Sequence, residues 1–379
     1  MTGDGGSLWR LVLPPFLSAR AVSLLVPVLG AWQQSRAPGF PTGAELRSAF
    51  DQWDSQSYVA IAEHGYPSHL DFGLGQGGHL VAFFPGYPML MRAAMVVAGD
   101  AVVAGLLVST VLELVALRLV AGLVLRERDL GAARFAAWAL AFWPYAAFLG
   151  LVYTESAFLA AAAGALLLAR RGRFGPACLV AALAGATRVT GVALIPALLV
   201  EQLVRHRGRP TVQLAWLLLV PLPVLLFGVY LRVHTGDWLA WLHAEGSASF
   251  DFRHLDWPWS GAWTTWESAT LSPLPAGSTY VFALELVFGI GGAAVCAALW
   301  IRHRLPLSLL AYCTAVWLLS VSVSYWVSVP RYEIAMFPVL IAVWDLLGRR
   351  PSWRAAAVGA SAGLFAYGAG LYASGRWLG

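Results

Sequence analysis

Residues 50–67 read FDQWDSQSYVAIAEHGYP and residues 79–88 read HLVAFFPGYP, and together they form an island of acids, histidines and aromatics in a largely apolar chain. The first run predicts a helix over 51–63, because Asp54 and Tyr58 recur on one face at helical spacing. Asp51, which lies three residues before Asp54, would then sit close to it on the same helix.

Two interpretations of this helix follow from its residues alone. A carboxylate beside an aromatic ring, as in Trp53–Asp54, suits a general base that removes a proton from a sugar hydroxyl while the ring walls one side. The same pattern also fits a solvated amphipathic helix that lies on a membrane surface.

The rest of the chain is typical of a polytopic membrane protein. Its 379 residues are 59% hydrophobic and 12% charged, and it contains repeated apolar runs of about twenty residues, long enough to cross a bilayer as helices. This composition excludes a soluble multidomain protein, and we expect one all-α membrane domain over 1–379. Every basic residue other than histidine is an arginine, which together with abundant alanine and valine indicates a bacterial source.

The candidate membrane spans follow from the apolar runs. They are 11–31, 101–125, 132–150, 155–169, 174–204, 212–232, 279–300, 305–326, 331–348 and 354–375. Arginine-rich breaks separate many of them, and each break should face the cytoplasm. These breaks are Arg126/Arg128, Arg170/Arg171/Arg173, Arg205/Arg207/Arg209, Arg302/Arg304 and Arg349/Arg350/Arg354.

An even number of crossings must separate any two cytoplasmic breaks, and this decides two segments. Residues 81–99 do not span, and we predict a juxtamembrane helix along the outer surface. Residues 174–204 must form a hairpin of two short helices that breaks near 187–191. The resulting topology of about eleven spans places two loops outside, 32–100 and 233–278.

The motifs WDSQSYVAIAEHGYP and AFFPGYP closely resemble a segment of the PIG-V family, the second mannosyltransferase of GPI-anchor assembly. Weaker similarity continues at YTES (153–156), ATRVTG (186–191) and PRYEIAMFP (330–338). The resemblance implies the GT-C glycosyltransferase architecture, with juxtamembrane helices in the first external loop. It also implies an inverting transfer of mannose from polyprenyl-phosphate-mannose, which gives an α-mannoside.

The resemblance assigns roles to individual residues. Asp54 would deprotonate the acceptor hydroxyl as catalytic base. The residues that we expect to bind substrate are Trp53, Asp51, Tyr58, Glu63, His64, Tyr66, Phe84, Tyr87, Tyr153, Glu155, Arg188, Arg331 and Tyr332.

Charges in apolar surroundings support some of these roles on physical grounds. Arg188 lies in an apolar hairpin, where a charge is costly and marks a function by default. Arg331 follows Pro330, and its forked guanidinium suits a phosphate, although an arginine that snorkels to the interface gives the same pattern. We expect both arginines, with His64, to stabilise the charge that grows on a polyprenyl phosphate leaving group.

Two further charged residues, Arg20 and Glu113, lie inside candidate spans. Arg20 and Glu113 fall near the middle of their spans, where an unpaired charge is costly, so we predict that they form an ion pair. This pair would be structural.

Six tryptophans lie in the 233–278 loop: Trp238, Trp241, Trp257, Trp259, Trp263 and Trp266. Interfacial belts of membrane proteins are enriched in tryptophan, and indole rings also stack on sugar faces. The loop is therefore either a membrane anchor or the roof of an acceptor site.

No motif indicates a metal or a cofactor. Cys178, Cys296 and Cys313 lie inside candidate spans, and the histidines of the 233–278 loop lack ligand spacing. No P-loop or Rossmann fingerprint occurs in a suitable context. We expect no required cofactor, while the sequence leaves a divalent cation undecided, and the scattered arginines give no nucleic-acid signal.

The sequence thus predicts an enzyme of the cell membrane with its active site on the extracytoplasmic face. Its partners would be the donor lipid, a glycan, glycolipid or protein acceptor, and membrane lipids. Two alternatives stay open: a GT-C enzyme with another lipid-phosphate sugar, and a flippase or transporter of lipid-linked sugars. The polar motifs gather at one face rather than at the bilayer midplane, which favours the enzyme.

Overall fold

The computed structural model describes residues 5–35, 39–67, 77–270, 278–348 and 350–376. Within these ranges the chain is α-helical, and its one β-type pairing is an isolated bridge between Leu255 and Val323. The predicted all-α fold class is confirmed.

The helices have these bounds: α1 (Gly5–Gln34), α2 (Gly43–Phe50), α3 (Asp54–His64), α4 (Gly86–Ala98), α5 (Ala101–Glu127), α6 (Leu130–Ala141), α7 (Ala147–Gly150), α8 (Glu155–Arg170), α9 (Phe174–Thr187), α10 (Leu194–Arg205), α11 (Leu222–Thr235), α12 (Ala240–Glu245), α13 (Pro258–Thr270), α14 (Ser278–Arg302), α15 (Leu307–Val321), α16 (Val329–Tyr332), α17 (Val339–Leu347) and α18 (Pro351–Ala373). Short 3-10 helices occupy Gly78–Ala82, Val189–Ala193, Val212–Leu219, Ala248–Phe250 and Glu333–Met336.

Helix length separates clear membrane spans from shorter elements. Among the described residues, four helices are long and apolar enough to cross a bilayer, and a pair bent by 42° would make a fifth if it is one span. The four are Ser7–Gln34, Ala101–Glu127, Val281–Arg302 and Pro351–Ala373. The bent pair is the 3-10 helix at Val212–Leu219 with α11, and Pro221 lies at its break. Helix length therefore supports four or five crossings, and the count of about eleven stays a prediction.

Besides 212–232, which bends at Pro221, two other segments that we predicted as single spans are broken. The 132–150 segment ends as α6 at Ala141 and resumes as α7, because Pro144 lacks an N–H and disfavours helix in the residue before it. The 331–348 segment begins with the last two residues of α16 and continues as a 3-10 helix and then α17, with Pro338 directly before α17. The prediction of one continuous helix is wrong for both.

Two other predictions about helix boundaries are confirmed. The 81–99 segment contains α4, a helix of 13 residues, which is too short to span a bilayer by itself, while its position along the outer surface stays a prediction. The 174–204 hairpin breaks at Arg188, which adopts an extended conformation with φ −155° and ψ 143° between α9 and the next 3-10 helix.

Helix α8 relates the two charged ends of the bundle. Its 16 residues run from Glu155 to Arg170, a rise of about 24 Å. At one end Glu155 meets Arg188 and Arg331. At the other end Arg170 meets two glutamates from α5 and α10. The arginine-rich breaks thus lie away from the sequence motifs, and which end faces the cytoplasm stays a prediction.

The predicted ion pair inside the bundle is also present. Arg20 Nη1 lies 3.8 Å from Glu113 Oε2, and both side chains are buried. Arg20 Nη2 also donates to the backbone oxygen of Leu106 at 3.0 Å, and Nη1 donates to the oxygen of Gly150. Arg20 is therefore held by backbone carbonyls of neighbouring helices as well as by its carboxylate partner.

Candidate active site

A cavity of about 610 Å³ opens at the Glu155 end of α8, a size typical of ligand pockets. We call it the central cavity. Helices α3, α12 and α16 contribute to its wall, together with the break at Arg188. The residues predicted from sequence that line it are Trp53, Asp54, Tyr58, Phe84, Tyr153, Arg188, Arg331 and Tyr332.

Asp54 lies at the start of α3 because of an unusual backbone conformation in the residue before it. Trp53 has φ 57° and ψ −128°, a region that a bulky residue rarely adopts. The helix therefore begins at Asp54 and not at Asp51, and the prediction of a helix from residue 51 is wrong at its first turn. Asp51 follows α2 and accepts a hydrogen bond from Ser55 Oγ at 3.3 Å, and burial raises its pKa.

Asp54 belongs to a cluster of four charged side chains, which we call the Glu155 cluster: Asp54, Glu155, Arg188 and Arg331. Arg331 Nη1 donates to Asp54 Oδ2 at 2.8 Å, and its Nε lies 3.3 Å from Glu155 Oε1. Arg188 Nη2 donates to the same Glu155 oxygen. Glu155 therefore holds two guanidinium groups, and its side chain is 1% exposed.

The Glu155 cluster is incompletely hydrogen-bonded within the described part of the chain. Arg331 Nε and Glu155 Oε2 are buried without a hydrogen bond from or to any described residue. A buried polar atom that makes no hydrogen bond costs about 1–3 kcal/mol. The cluster is thus less stabilising than its number of charges implies.

Aromatic rings surround the two arginines. The Arg331 guanidinium lies 5.2 Å from the ring centre of Phe148, 5.5 Å from that of Tyr153 and 5.4 Å from that of Tyr332. Arg188 lies 5.1 Å from the Tyr332 ring. These distances are those of cation–π contacts, which fix the guanidinium groups without neutralising their charge.

The YTES motif supplies several contacts to the cluster. Thr154 Oγ1 accepts a hydrogen bond from Arg188 Nε at 2.6 Å and lies 3.5 Å from the Tyr58 hydroxyl. Burial raises the pKa of Tyr58, so this hydroxyl stays protonated. The Tyr153 hydroxyl donates to the backbone oxygen of Gln52 at 3.2 Å, which links the segment before α8 to the turn before Asp54.

Six residues predicted to bind substrate do not line the cavity: Asp51, Glu63, His64, Tyr66, Tyr87 and Glu155. Of these, Glu155 contacts the lining residues Arg188 and Arg331 from behind the wall. Glu63 and His64 end α3, about 14 Å along the helix from Asp54. Glu63 pairs with Arg47 at 3.2 Å, and the His64 side chain is 78% exposed. The length of α3 thus separates them from the arginines.

The two remaining tyrosines are packing residues. The Tyr66 ring contacts the ring of Phe227, and its hydroxyl donates to the Phe83 oxygen at 2.5 Å. Tyr87 is fully buried, and its hydroxyl lies 2.8 Å from Ser109 Oγ. Both side chains support the wall from behind.

Sequence reasoning missed Glu285 of α14. Its carboxylate accepts hydrogen bonds from the backbone N–H groups of Ser328 at 2.8 Å and Val329 at 2.7 Å. These bonds fix the turn before Arg331, in which Ser328 has φ 66°. Glu285 could have been predicted from the sequence, because it is a charged residue inside the candidate span 279–300. A charge in an apolar segment was also the reason for singling out Arg188.

The tryptophans of the 233–278 loop divide into two groups. Trp241 lines the central cavity and contacts Phe84. The others are at least half exposed and do not line it: Trp238, Trp257, Trp259, Trp263 and Trp266. Residues 271–277 of this loop lie outside the described residues.

The loop also brings a second ion pair, Glu245 and Arg253, into the cavity wall. Burial lowers the pKa of Arg253, but the Glu245 carboxylate together with the Tyr332 and Tyr325 hydroxyls raises it above its ordinary value, so the guanidinium stays charged. The sequence analysis did not predict this pair, because the spacing of Glu245 and Arg253 matches no recognisable motif. No group of three or more potential metal ligands occurs among the described residues.

Two solved membrane-protein structures share this fold. ArnT from Cupriavidus metallidurans bound to undecaprenyl phosphate superposes with a TM-score of 0.52 at 14% identity, over 90% of this chain and 61% of that one. The Archaeoglobus fulgidus oligosaccharyltransferase in the apo form gives 0.53 at 14% identity, over 97% and 56%. The chain therefore spans about three fifths of the length of these neighbours.

These similarities define the class of protein. The chain is a multi-pass membrane protein with the fold of GT-C membrane glycosyltransferases, as the sequence resemblance implied. No protein-family model and no curated protein matches the sequence. The PIG-V resemblance therefore rests on the quoted motifs, and mannose stays a prediction.

Proposed function

We propose that this protein is an inverting GT-C mannosyltransferase that moves mannose from polyprenyl-phosphate-mannose to an extracytoplasmic glycan, glycolipid or protein, giving an α-mannoside. One observation carries the proposal. A carboxylate, Asp54, and two guanidinium groups, Arg188 and Arg331, converge on one cavity at one end of a GT-C bundle. These are the groups that transfer from a lipid phosphate requires.

The chemistry follows from their charges. Asp54 accepts the proton of the acceptor hydroxyl while the hydroxyl oxygen bonds to C1 of the sugar. The bond between C1 and the phosphate oxygen breaks at the same time, and its electron pair leaves with polyprenyl phosphate. The phosphate thereby gains one negative charge, which Arg188 and Arg331 stabilise where it develops.

The ion pair between Arg331 and Asp54 gives the donor a second role. While Arg331 bonds to Asp54, the carboxylate oxygen is engaged and less able to accept a proton. A donor phosphate competes with Asp54 for the same guanidinium, because both are oxyanions. Binding of the donor therefore releases the base as it brings C1 into the site.

The lipid donor has independent support. ArnT, a neighbour with the same fold, was solved with undecaprenyl phosphate, which is the class of leaving group proposed here. Mannose is supported by the WDSQSYVAIAEHGYP and AFFPGYP motifs. We place the cavity on the extracytoplasmic side, because the arginine-rich breaks gather at the other end of the bundle.

The test is a donor panel with purified protein. Polyprenyl phosphates that carry labelled mannose, labelled glucose or a labelled pentose are each incubated with the protein and a crude lipid and glycan extract of the host. Label should pass to the extract from the mannosyl lipid alone. Transfer from another donor would keep the enzyme class and overturn mannose. A folded protein that transfers no label, yet moves the lipids across vesicle membranes, would establish a flippase.

A further inference from the structure

A second ion pair lines the central cavity and takes no part in the transfer step. Glu245, the last residue of α12, accepts hydrogen bonds through Oε2 from Arg253 Nε at 2.9 Å and from Arg253 Nη2. The Arg253 side chain is 13% exposed and that of Glu245 is 24% exposed. The pair is thus largely shielded from water and still borders the space that a ligand would fill.

An uncommon turn brings these two charges together. Asp251 and Phe252 have φ 50° and 59°, in the left-handed region that residues other than glycine seldom adopt. The Tyr325 hydroxyl holds the turn by donating to the Phe250 oxygen at 2.8 Å. The chain therefore reverses direction and presents Arg253 to α12, while Phe252 is exposed.

The pair retains hydrogen-bonding capacity for a ligand. In the part of the chain that the structure describes, both bonds from Arg253 go to one oxygen of Glu245, so Glu245 Oε1 and Arg253 Nη1 have no protein partner. A carboxylate oxygen only accepts and a guanidinium nitrogen only donates. Side by side, they match two neighbouring hydroxyl groups, each of which can donate and accept. Trp241 and Phe250 line the same cavity and offer apolar faces for a sugar ring.

Charge distinguishes this pair from the arginines near Asp54. Arg331 bonds to Asp54 and approaches Glu155, whereas Arg188 pairs with Glu155. When Asp54 takes up the proton of the acceptor, the other three side chains carry one net positive charge, which stabilises the leaving phosphate. Glu245 neutralises Arg253 one for one, which favours an uncharged polyol. We propose that Glu245 and Arg253 form a sugar-hydroxyl subsite of the central cavity. This proposal rests on the proposed function, and the sugar is that of the donor or that of the acceptor.

The experiment measures equilibrium binding to purified wild type and to a Glu245→Gln/Arg253→Gln double variant. A single substitution would leave the other charge of the pair buried without a partner, whereas the double variant removes both charges. The donor arm compares polyprenyl-phosphate-mannose with polyprenyl phosphate methyl ester, which has the same charge and no sugar. The acceptor arm measures methyl α-mannopyranoside in the presence of the methyl ester.

Removal of the pair should weaken sugar binding in one arm by about tenfold or more, as expected for lost hydrogen bonds to charged groups. Affinity for the methyl ester should be unchanged. Loss in the donor arm assigns the subsite to the donor sugar, and loss in the acceptor arm assigns it to the acceptor. Equal sugar affinity in wild type and double variant, in both arms, would overturn the subsite and leave the proposed function intact.

Failure of the proposed function looks different. Wild type that binds neither lipid would overturn the transferase and the subsite together. If the double variant folds poorly, Arg253→Lys replaces it. This substitution keeps the positive charge but removes the forked guanidinium, so it should lower sugar affinity in the same arm by a smaller factor. Asp237→Asn is the matched control, because Asp237 pairs with His243 at 2.5 Å in the same loop outside the cavity wall. It should bind all three probes as wild type does.

Discussion

The two ends of α8 carry charged clusters that are similar in composition but differ in how completely their members are hydrogen-bonded. At its last residue, Arg170 donates to both oxygens of Glu127, at 2.9 Å and 3.1 Å, and to both oxygens of Glu201, at 3.2 Å and 3.1 Å. At its first residue, Glu155 shares one oxygen between two arginines, and its other oxygen is buried without a hydrogen bond to a described residue.

We interpret the difference as that between a structural cluster and a functional one. Glu201 also accepts from Ser308 Oγ at 2.7 Å and joins α8, α10 and α15, and neither Arg170 nor these two residues line the central cavity. Three members of the Glu155 cluster, Asp54, Arg188 and Arg331, line the central cavity, and Arg331 Nε is buried without a hydrogen bond to a described residue. Fully satisfied hydrogen bonds stabilise the fold, whereas charged groups that line a cavity are candidates for contact with a substrate. Substitutions at the two ends should therefore change different properties.

The largest difference should follow removal of Arg331. Arg331→Gln takes away the guanidinium that contacts both Asp54 and Glu155, and it should lower kcat by about 100- to 1,000-fold, as for other groups that stabilise developing charge. Steady-state transfer from polyprenyl-phosphate-mannose measures it. Arg92→Gln is the control, because Arg92 bonds to the backbone oxygens of Ala62 and Glu63 outside the cavity wall. A variant of Arg331 as active as this control would remove the arginine from the mechanism.

A smaller effect should distinguish Arg188 from Arg170: substitution of Arg188 should lower activity, whereas substitution of Arg170 should lower stability. Arg188→Gln should reduce transfer by about 10- to 100-fold, since one charge-assisted hydrogen bond is worth about 1.5–3 kcal/mol. Arg170→Gln should leave the activity of the folded protein within about twofold and lower its melting temperature by several degrees, because Glu127 loses its arginine partner and Glu201 keeps only Arg205 and Ser308.

Both variants are assayed for transfer and for thermal unfolding in the same detergent. The comparison between the two ends would be wrong if Arg170→Gln lost activity and Arg188→Gln lost only stability.

The smallest effect should come from a chelator. The arginines supply the positive charge that the leaving phosphate needs, so EDTA should change the transfer rate of the purified enzyme by less than about twofold, in contrast to sites in which a divalent ion carries that charge. Activity that disappears with EDTA and returns with added Mg²⁺ or Mn²⁺ would show that a cation is required.

The sequence predicted the parts of this site that depend on residue type. Arg188 stood out because a charge in an apolar hairpin is costly, and Asp54 stood out within its motif. Apolar runs predicted a helical membrane bundle. These signals are local, so they survive without knowledge of the fold.

What the sequence did not show depends on backbone geometry. His64 shares a motif with Asp54, but the rise of α3 carries it out of the cavity. Glu245 and Arg253 meet through a left-handed turn that no residue pattern announces. Pro144 was visible, yet the hydropathy of 132–150 outweighed it in predicting one continuous span.

The most direct test of the account compares Asp54→Asn with Asp51→Asn. The two aspartates lie three residues apart, but only Asp54 lines the central cavity and contacts Arg331. With polyprenyl-phosphate-mannose as donor, Asp54→Asn should lose transfer by about a thousandfold, within the range for a removed general base. The transfer rate of Asp51→Asn should stay within about tenfold of wild type, because the Asp51 side chain hydrogen-bonds to Ser55 at the start of α3 and does not line the cavity. Equal activity in Asp54→Asn and wild type would contradict the assignment of the catalytic base.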